Sequence, residues 1–143
     1  MASAAWLGQG SLLQLGDGSG NWTTIAEIKT INGPDEKRAM VDVTSHSSAN
    51  QRREFINGLI DGGSLRFEGV WLPTDPSQNG VTGFYSVFTS GVRRPYQILL
   101  SNPQATIVSI TGGLAMTHSK VIPIDKEASF TGEIKVTGIV TIQ

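Results

Sequence analysis

Asp42, Ser45, His46, Ser47 and Ser48 gather the side-chain types of a hydrolytic triad into one short stretch. A triad works only when the histidine is held in space between a serine and a carboxylate, and nothing in this spacing holds His46 there. The run reads as the polar end of a strand, and no catalytic residue is expected. His46 and His118 are the two histidines of the chain, which has no cysteine. Zinc would then need carboxylates that no spacing singles out, so neither a metal nor a cofactor is expected. Gly16 to Asn21 has the composition of a glycine-rich phosphate loop and of the opening of a calcium loop. The phosphate reading fails because strand-like sequence follows instead of a helix, and the calcium reading fails because Ile28 stands where the bidentate glutamate belongs. Asn21-Trp22-Thr23 fits a glycosylation acceptor, but no export signal precedes it and the match carries no weight.

The elements that position these groups belong to a chain of 143 residues with formal net charge -1 and 38% hydrophobic residues. Those values suit a single domain over residues 1–143 with one core. Without disulfides, stability must come from packing, hydrogen bonding or assembly with other copies. A near-neutral balance argues against a protein that grips nucleic acid, since retention on phosphates scales with Lys and Arg contacts. Arg52-Arg53 and Arg93-Arg94 belong to no longer basic stripe. No stretch approaches the roughly 20 apolar residues of a membrane-spanning helix.

Residues 1–10 are small and glycine-rich apart from Trp6 and Leu7, and predict a flexible N-terminal arm. Leu12 to Leu15 and Trp22 to Ile31 predict a hairpin about the glycine-rich turn, and Ala39 to Thr44 a further strand in which Val41 and Val43 share a face. Residues 45–63 predict a long loop whose Phe55, Ile56, Leu59 and Ile60 need something to bury them. Ser64 to Leu72 alternates as a strand. Asp75-Pro76-Ser77-Gln78 has the signature of a helix start and Gly91 of a stop, predicting one helix over 76–90. Arg93 to Leu100 and Thr106 to Val121 predict two more strands, the second with a bend or bulge at Gly112-Gly113. From Glu127 to Ile142 side chains sort with the two-residue period of a strand, only Ile139 breaking the pattern. Ala128, Phe130, Gly132, Ile134, Val136, Gly138, Val140 and Ile142 fall on one face, and Glu127, Ser129, Thr131, Glu133, Lys135, Thr137 and Thr141 on the other. Such a strand would reach roughly 50 Å and be wetted on one side. The chain is therefore expected to be mainly β: an antiparallel β-sandwich or barrel of about eight strands with one flanking α-helix.

Val41-Asp42-Val43-Thr44-Ser45, the run Arg53-Glu54-Phe55-Ile56-Asn57-Gly58-Leu59-Ile60-Asp61-Gly62-Gly63, the strand Leu65 to Gly69, the helix ending at Ser90-Gly91 and Phe130 to Gly138 occur in one order. Together they resemble the major tail tube protein of bacteriophages with long non-contractile tails. The resemblance covers nearly the whole chain, although Asn57 stands where that family commonly has a proline. It implies a structural virion protein, not an enzyme, whose hexameric rings stack into a hollow tail tube that delivers the genome. The implied partners are further copies of the chain and the tail tip, tape-measure and tail terminator proteins, with assembly in the host cytoplasm and double-stranded DNA passing without specific binding. On this reading Trp6, Leu7, Arg52, Arg53, Glu54, Phe55, Ile56, Leu59 and Ile60 serve ring and stacking contacts, with 45–63 as an inter-subunit loop. Ser129, Thr131, Glu133, Lys135 and Thr137 would face the lumen. Three other readings stand beside it: the tube of a phage-derived particle, a type VI-like secretion tube, and a monomeric β-sandwich binding module.

Overall fold

The computed structural model describes residues 3–143, so the first two residues of the expected arm lie outside it. Ten strands and one α-helix follow in the order β1 (Leu12–Gly16), β2 (Trp22–Thr24), β3 (Ile28–Asn32), β4 (Lys37–Asp42), β5 (Phe55–Asp61), β6 (Ser64–Val70), α1 (Phe84–Ser90), β7 (Arg94–Leu99), β8 (Ile107–Val121), β9 (Ser129–Val136) and β10 (Val140–Ile142). Eight strands form one antiparallel sheet in the order β2-β1-β7-β8-β9-β6-β3, with β10 also on β8, while β4 and β5 pair only with each other. β8 holds the two halves together. Its N-terminal half pairs with β7 and β10, and from Gly113 onward it pairs with β9. The Ile25 amide donates to the Leu13 carbonyl at 2.9 Å, bringing the segment before β3 back to β1, so the sheet curls toward closure. Such curling protects edges that an open sheet would leave bare.

Inside the curl lie Leu13, Leu15, Leu65, Phe67, Tyr96, Ile98, Ile110, Phe130, Ile134 and Val136, joined by Phe84 and Val87 of the helix. Phe67 meets Phe84 and Phe130 edge-to-face at centroid separations of 4.9 and 5.8 Å. The two-residue period of the C-terminal segment is borne out, because Phe130, Gly132, Ile134 and Val136 are buried on one face of β9. Its length is not. The segment breaks at Thr137-Gly138-Ile139, where Gly138 takes φ 134, a value that only glycine adopts readily, before β10 resumes on a different stretch of β8. Ile139, the one residue off the pattern, sits in that break. The long strand is instead β8, whose 15 residues match the predicted extended segment and carry register shifts on either side of Gly113.

The helix fills only the second half of the 76–90 span. Gly83 precedes it and Gly91, at φ 68, ends it with its amide bonded to the Val87 carbonyl. Residues 75–78 form a turn instead, Asp75 Oδ1 accepting from both the amide and the hydroxyl of Ser77 at 2.9 and 2.6 Å. Tertiary bonds decide this. Ser77 Oγ accepts from the Ala26 amide, and buried Gln78 receives the Leu72 amide while donating to the Ala26 and Val70 carbonyls. Four bonds to backbone groups outweigh the few tenths to about 1 kcal/mol that one more helical turn would return. The predicted strand Trp22 to Ile31 is likewise split, with Glu27 at φ 58 between β2 and β3.

A candidate assembly surface

The second half of the expected 45–63 loop is a strand. β5 pairs with β4 to make a ribbon apart from the main sheet, and the true loop is the connection between them, with a single 3-10 turn at Ala49–Gln51. All of β4 is exposed, and in β5 only Gly58 is even half-buried. Apolar side chains dominate it nonetheless, and Leu59, at 88% exposure, shows how little the subunit itself covers them. Monomers rarely leave such a patch uncovered.

Both ends of the ribbon are tied. At its root the Lys135 ammonium bonds Asp61 at 2.9 Å, the Gly63 amide donates to Asp61 Oδ1, and the Val136 amide donates to the Gly63 carbonyl. Gly63 has φ 69, and a Cβ there would fall 2.0 Å from the Asp35 carbonyl oxygen. The Lys135 and Gly63 bonds hold the Asp61 carboxyl below the usual range. At the tip Glu54 is spent on internal bonds: its carboxylate accepts from Ser48 Oγ at 2.8 Å, its carbonyl from the Val43 amide, and its own amide donates to Thr44 Oγ1. Asp42 accepts from the Thr44 amide, and the Thr44 bonds hold its carboxyl low. The residues of the triad-like stretch thus shape a turn. Arg52 and Arg53 are exposed beside them.

A second surface is the outer face of β8, β9, β6 and β3. Register places Thr131 between Ser119 and Glu68, Glu133 between Thr117 and Arg66, and Ser129 between Val121 and Val70. The cations here are paired, Arg66 with Glu133 at 3.5 Å and Asp35 at 3.8 Å, Lys135 with Asp61, and Lys29 of β3 with Glu127. Thr137 does not join this face: it lies beyond β9, its hydroxyl is buried without a partner, and Arg93 donates to its carbonyl at 2.6 Å. At the N-terminus Trp6 lies along a groove of about 690 Å³ lined by Ile28, Ile31, Ile98, Leu100 and Val108, while Leu7 is 78% exposed. Met40 and Val41 on the ribbon, and Ile122 and Ile124 in the β8–β9 connection, are exposed apolar residues that sequence reasoning did not assign to an interface. Their one signal was apolar residues at neighbouring positions of both parities in a polar stretch.

Beneath α1, the His118 ring is surrounded by Tyr85 at 4.9 Å, Phe130 at 5.5 Å, Phe84 at 6.0 Å and Phe88 at 6.2 Å, and its Nδ1 is buried without a partner. Burial, and secondarily Lys120, lowers its pKa. With the folded value below the unfolded one, stability is full above about pH 6.5 and is lost as pH falls from there through the folded value. Urea midpoints should therefore be flat from pH 8 to 7 and decline as pH falls below about 6.5, and His118→Phe should flatten that decline. An equal decline in both proteins would assign it elsewhere. Among the described residues no cluster of three or more His, Cys, Asp or Glu could hold a metal.

Solved structures share this architecture. The subunit in the structure described as the tail of an empty gene transfer agent particle, refined with C6 symmetry, superposes with TM-score 0.77 at 22% identity, over 97% of this chain and 99% of the other. A chain of the anti-feeding prophage baseplate gives 0.73 at 15% identity over 100% and 97%. The SPP1 tail tube protein gives 0.64 at 12% over 96% and 78%. The fold is that of tail tube subunits, a structural class. Residues 6–142 match the model of the lambda phage tail tube protein family, and the chain belongs to that family. No curated protein sequence matches it. Tail tube proteins are components of the virion.

Proposed function

We propose that this subunit closes into six-membered rings, that the rings stack head to tail into a hollow tube, and that double-stranded DNA leaves the particle through its lumen. The observation that carries this reading is the projecting β4–β5 ribbon, whose apolar side chains the subunit leaves uncovered and whose root is fastened to β9. A head-to-tail contact of this kind repeats without end unless it closes, which gives rings in one direction and stacking in the other. Six-fold closure is supported by the C6 symmetry of the gene transfer agent tail. The tail tip, tape-measure and terminator proteins would then set where growth starts, how far it runs and where it stops, with assembly in the host cytoplasm.

The outer face of β8, β9, β6 and β3 suits the lumen wall. Its cations Lys29, Arg66 and Lys135 are paired within the subunit, and unpaired Lys or Arg is what retains phosphate. Ser129, Thr131, Glu133 and Lys135 lie on this face, whereas Thr137 drops out of the lining. Ser119→Lys combined with Thr131→Lys should allow assembly but slow DNA exit several-fold, measured as release from triggered particles; failure to assemble would put this face at a subunit interface instead. The decisive test of the proposal is negative-stain electron microscopy of concentrated protein, alone and with tail-tip complex. Hollow six-fold tubes are expected, and persistent monomers in both would favour a binding module. The match to the anti-feeding prophage keeps a tube of a phage-derived particle as a second reading of the same architecture.

A further inference from the structure

Three asparagines of the chain are followed directly by glycine, at Asn32-Gly33, Asn57-Gly58 and Asn79-Gly80. In such a pair the carboxamide carbon lies within reach of the next backbone nitrogen, and a glycine there has no Cβ to obstruct the approach. The fold treats the three pairs differently. Asn79 Oδ1 accepts from the amides of Val81, Thr82 and Gly83 and from the Thr82 hydroxyl, at 2.8 to 3.2 Å, so its carboxamide is held in place. Asn32 is paired with Arg66 in the eight-stranded sheet, and Gly33 is wedged so tightly that a Cβ would fall 2.6 Å from the Ser64 carbonyl oxygen. Asn57 has neither restraint. It is exposed in a ribbon of only two strands, where Met40 stands opposite Asn57 and Arg38 opposite Ile60, so that Ala39 alone faces Gly58 and Leu59. One long bond, 3.3 Å from Arg38 Nη1, reaches the Gly58 carbonyl. A bulge of this kind interrupts the ladder, and two-stranded ribbons open locally at low free energy.

We infer that Asn57 is a site of spontaneous covalent conversion by water in the folded subunit, while Asn32 and Asn79 are protected. The Gly58 nitrogen, deprotonated by hydroxide, attacks Asn57 Cγ. The bond from Cγ to the side-chain nitrogen breaks, ammonia leaves, and a succinimide ring closes. Water then opens either ring carbonyl, leaving aspartate or, where the main chain now runs through Cγ, isoaspartate. The sum consumes water and releases ammonia, with nothing oxidised or reduced. Pairing in β5 keeps the backbone extended and the Gly58 nitrogen away from the carboxamide, so the reaction runs through the locally opened ribbon. Either product puts a carboxylate next to Ile56 and opposite Met40, and isoaspartate lengthens the backbone by a methylene, which disturbs the register beyond it. One consequence rests on the tube reading: conversion sets a time limit on the free subunit, because a charge among the ribbon's apolar side chains opposes their desolvation.

The test ages the free subunit in mildly alkaline buffer, folded and in concentrated urea, and follows each asparagine by peptide mass spectrometry, with isoaspartate resolved by its retention. In urea the three pairs are expected to convert at rates within a few-fold of one another. In the folded subunit Asn57 is expected to convert several-fold faster than Asn32 and Asn79. Asn57→Gln should remove the product while circular dichroism and thermal melting stay as in the unsubstituted subunit. A folded subunit in which Asn57 is as slow as Asn79, or in which Asn32 converts first, overturns the inference. The converted fraction, separated by anion exchange, is then offered to tail-tip complex beside unconverted subunit and Asn57→Gln. Its exclusion from tubes is expected, and incorporation at an equal rate overturns the time limit. Failure of unconverted subunit to build tubes overturns the tube reading instead, and the mass measurement still decides the site.

Discussion

Ile56→Asp combined with Ile60→Asp yields a folded, soluble monomer that builds no tube at any accessible concentration. The two side chains are more than half exposed in the subunit and lie on opposite faces of the ribbon, so folding loses little when they become charged, within about 0.5 kcal/mol each. In the assembled state the same positions are proposed to be desolvated, and an unpaired carboxylate there costs several kcal/mol. A penalty of only about 3 kcal/mol per added subunit would raise the concentration needed for growth more than a hundredfold. Sedimentation velocity beside electron microscopy checks this: a monomer with wild-type near-ultraviolet circular dichroism and no tubes on a tail-tip template is the expected result. Tubes of normal length from the double variant would remove the ribbon from the interface. Glu54→Ala makes an informative contrast, because it removes only the carboxylate's bond to Ser48 and leaves the backbone bonds to Val43 and Thr44 in place; it should loosen the tip slightly and weaken assembly far less.

What the sequence conveyed of this ribbon was its apolar content, not its form. Phe55-Ile56 and Leu59-Ile60 come in adjacent pairs, which match neither the period of a half-buried strand nor that of a helix, and so the stretch reads as a loop. Pairing with β4 explains the pairs: each face carries apolar side chains among polar ones, and the register irregularity beside Leu59 shifts the alternation. Val41 and Val43, by contrast, show a shared face and no more, because alternation says which residues share a face and not whether that face finds a core in the same chain. The segments that do pack on their own subunit were far more legible. Phe130, Ile134 and Val136, with Leu65 and Phe67, follow a clean two-residue period and are buried on neighbouring strands. The helix start failed for another reason. Asp75-Pro76-Ser77-Gln78 carries the local cap signal, but Ser77 and Gln78 find partners on Ala26, Val70 and Leu72, some 50 residues or only a few residues away, and local pattern cannot anticipate the distant ones.

Gly132→Val should unfold the subunit or lower its stability by about 3 kcal/mol or more, although valine is the better strand former. Gly132 sits in the middle of β9, opposite Phe67 on β6 and His118 on β8. A Cβ there would fall 2.5 Å from Phe67 Cζ and 2.9 Å from Phe84 Cε1, so the two rings occupy the space a side chain would need. The intrinsic gain in strand propensity is at most about 1 kcal/mol, whereas moving two buried rings in a close-packed core costs more and also loosens α1, which Phe84 anchors. Urea denaturation of the monomer, followed by near-ultraviolet circular dichroism, measures the loss; an unchanged midpoint would mean the rings relax freely. Combining the substitution with Phe67→Leu should recover part of the stability, because the two changes compete for one volume and are not additive. One position earlier, Thr131→Lys leaves the same monomer folded, since Thr131 is exposed on the opposite face of β9. Neighbouring residues of one strand thus answer to different demands, Gly132 to the packing of a single chain and Thr131 to what moves past its outer face, and the sign of each substitution follows from the side of the sheet on which it falls.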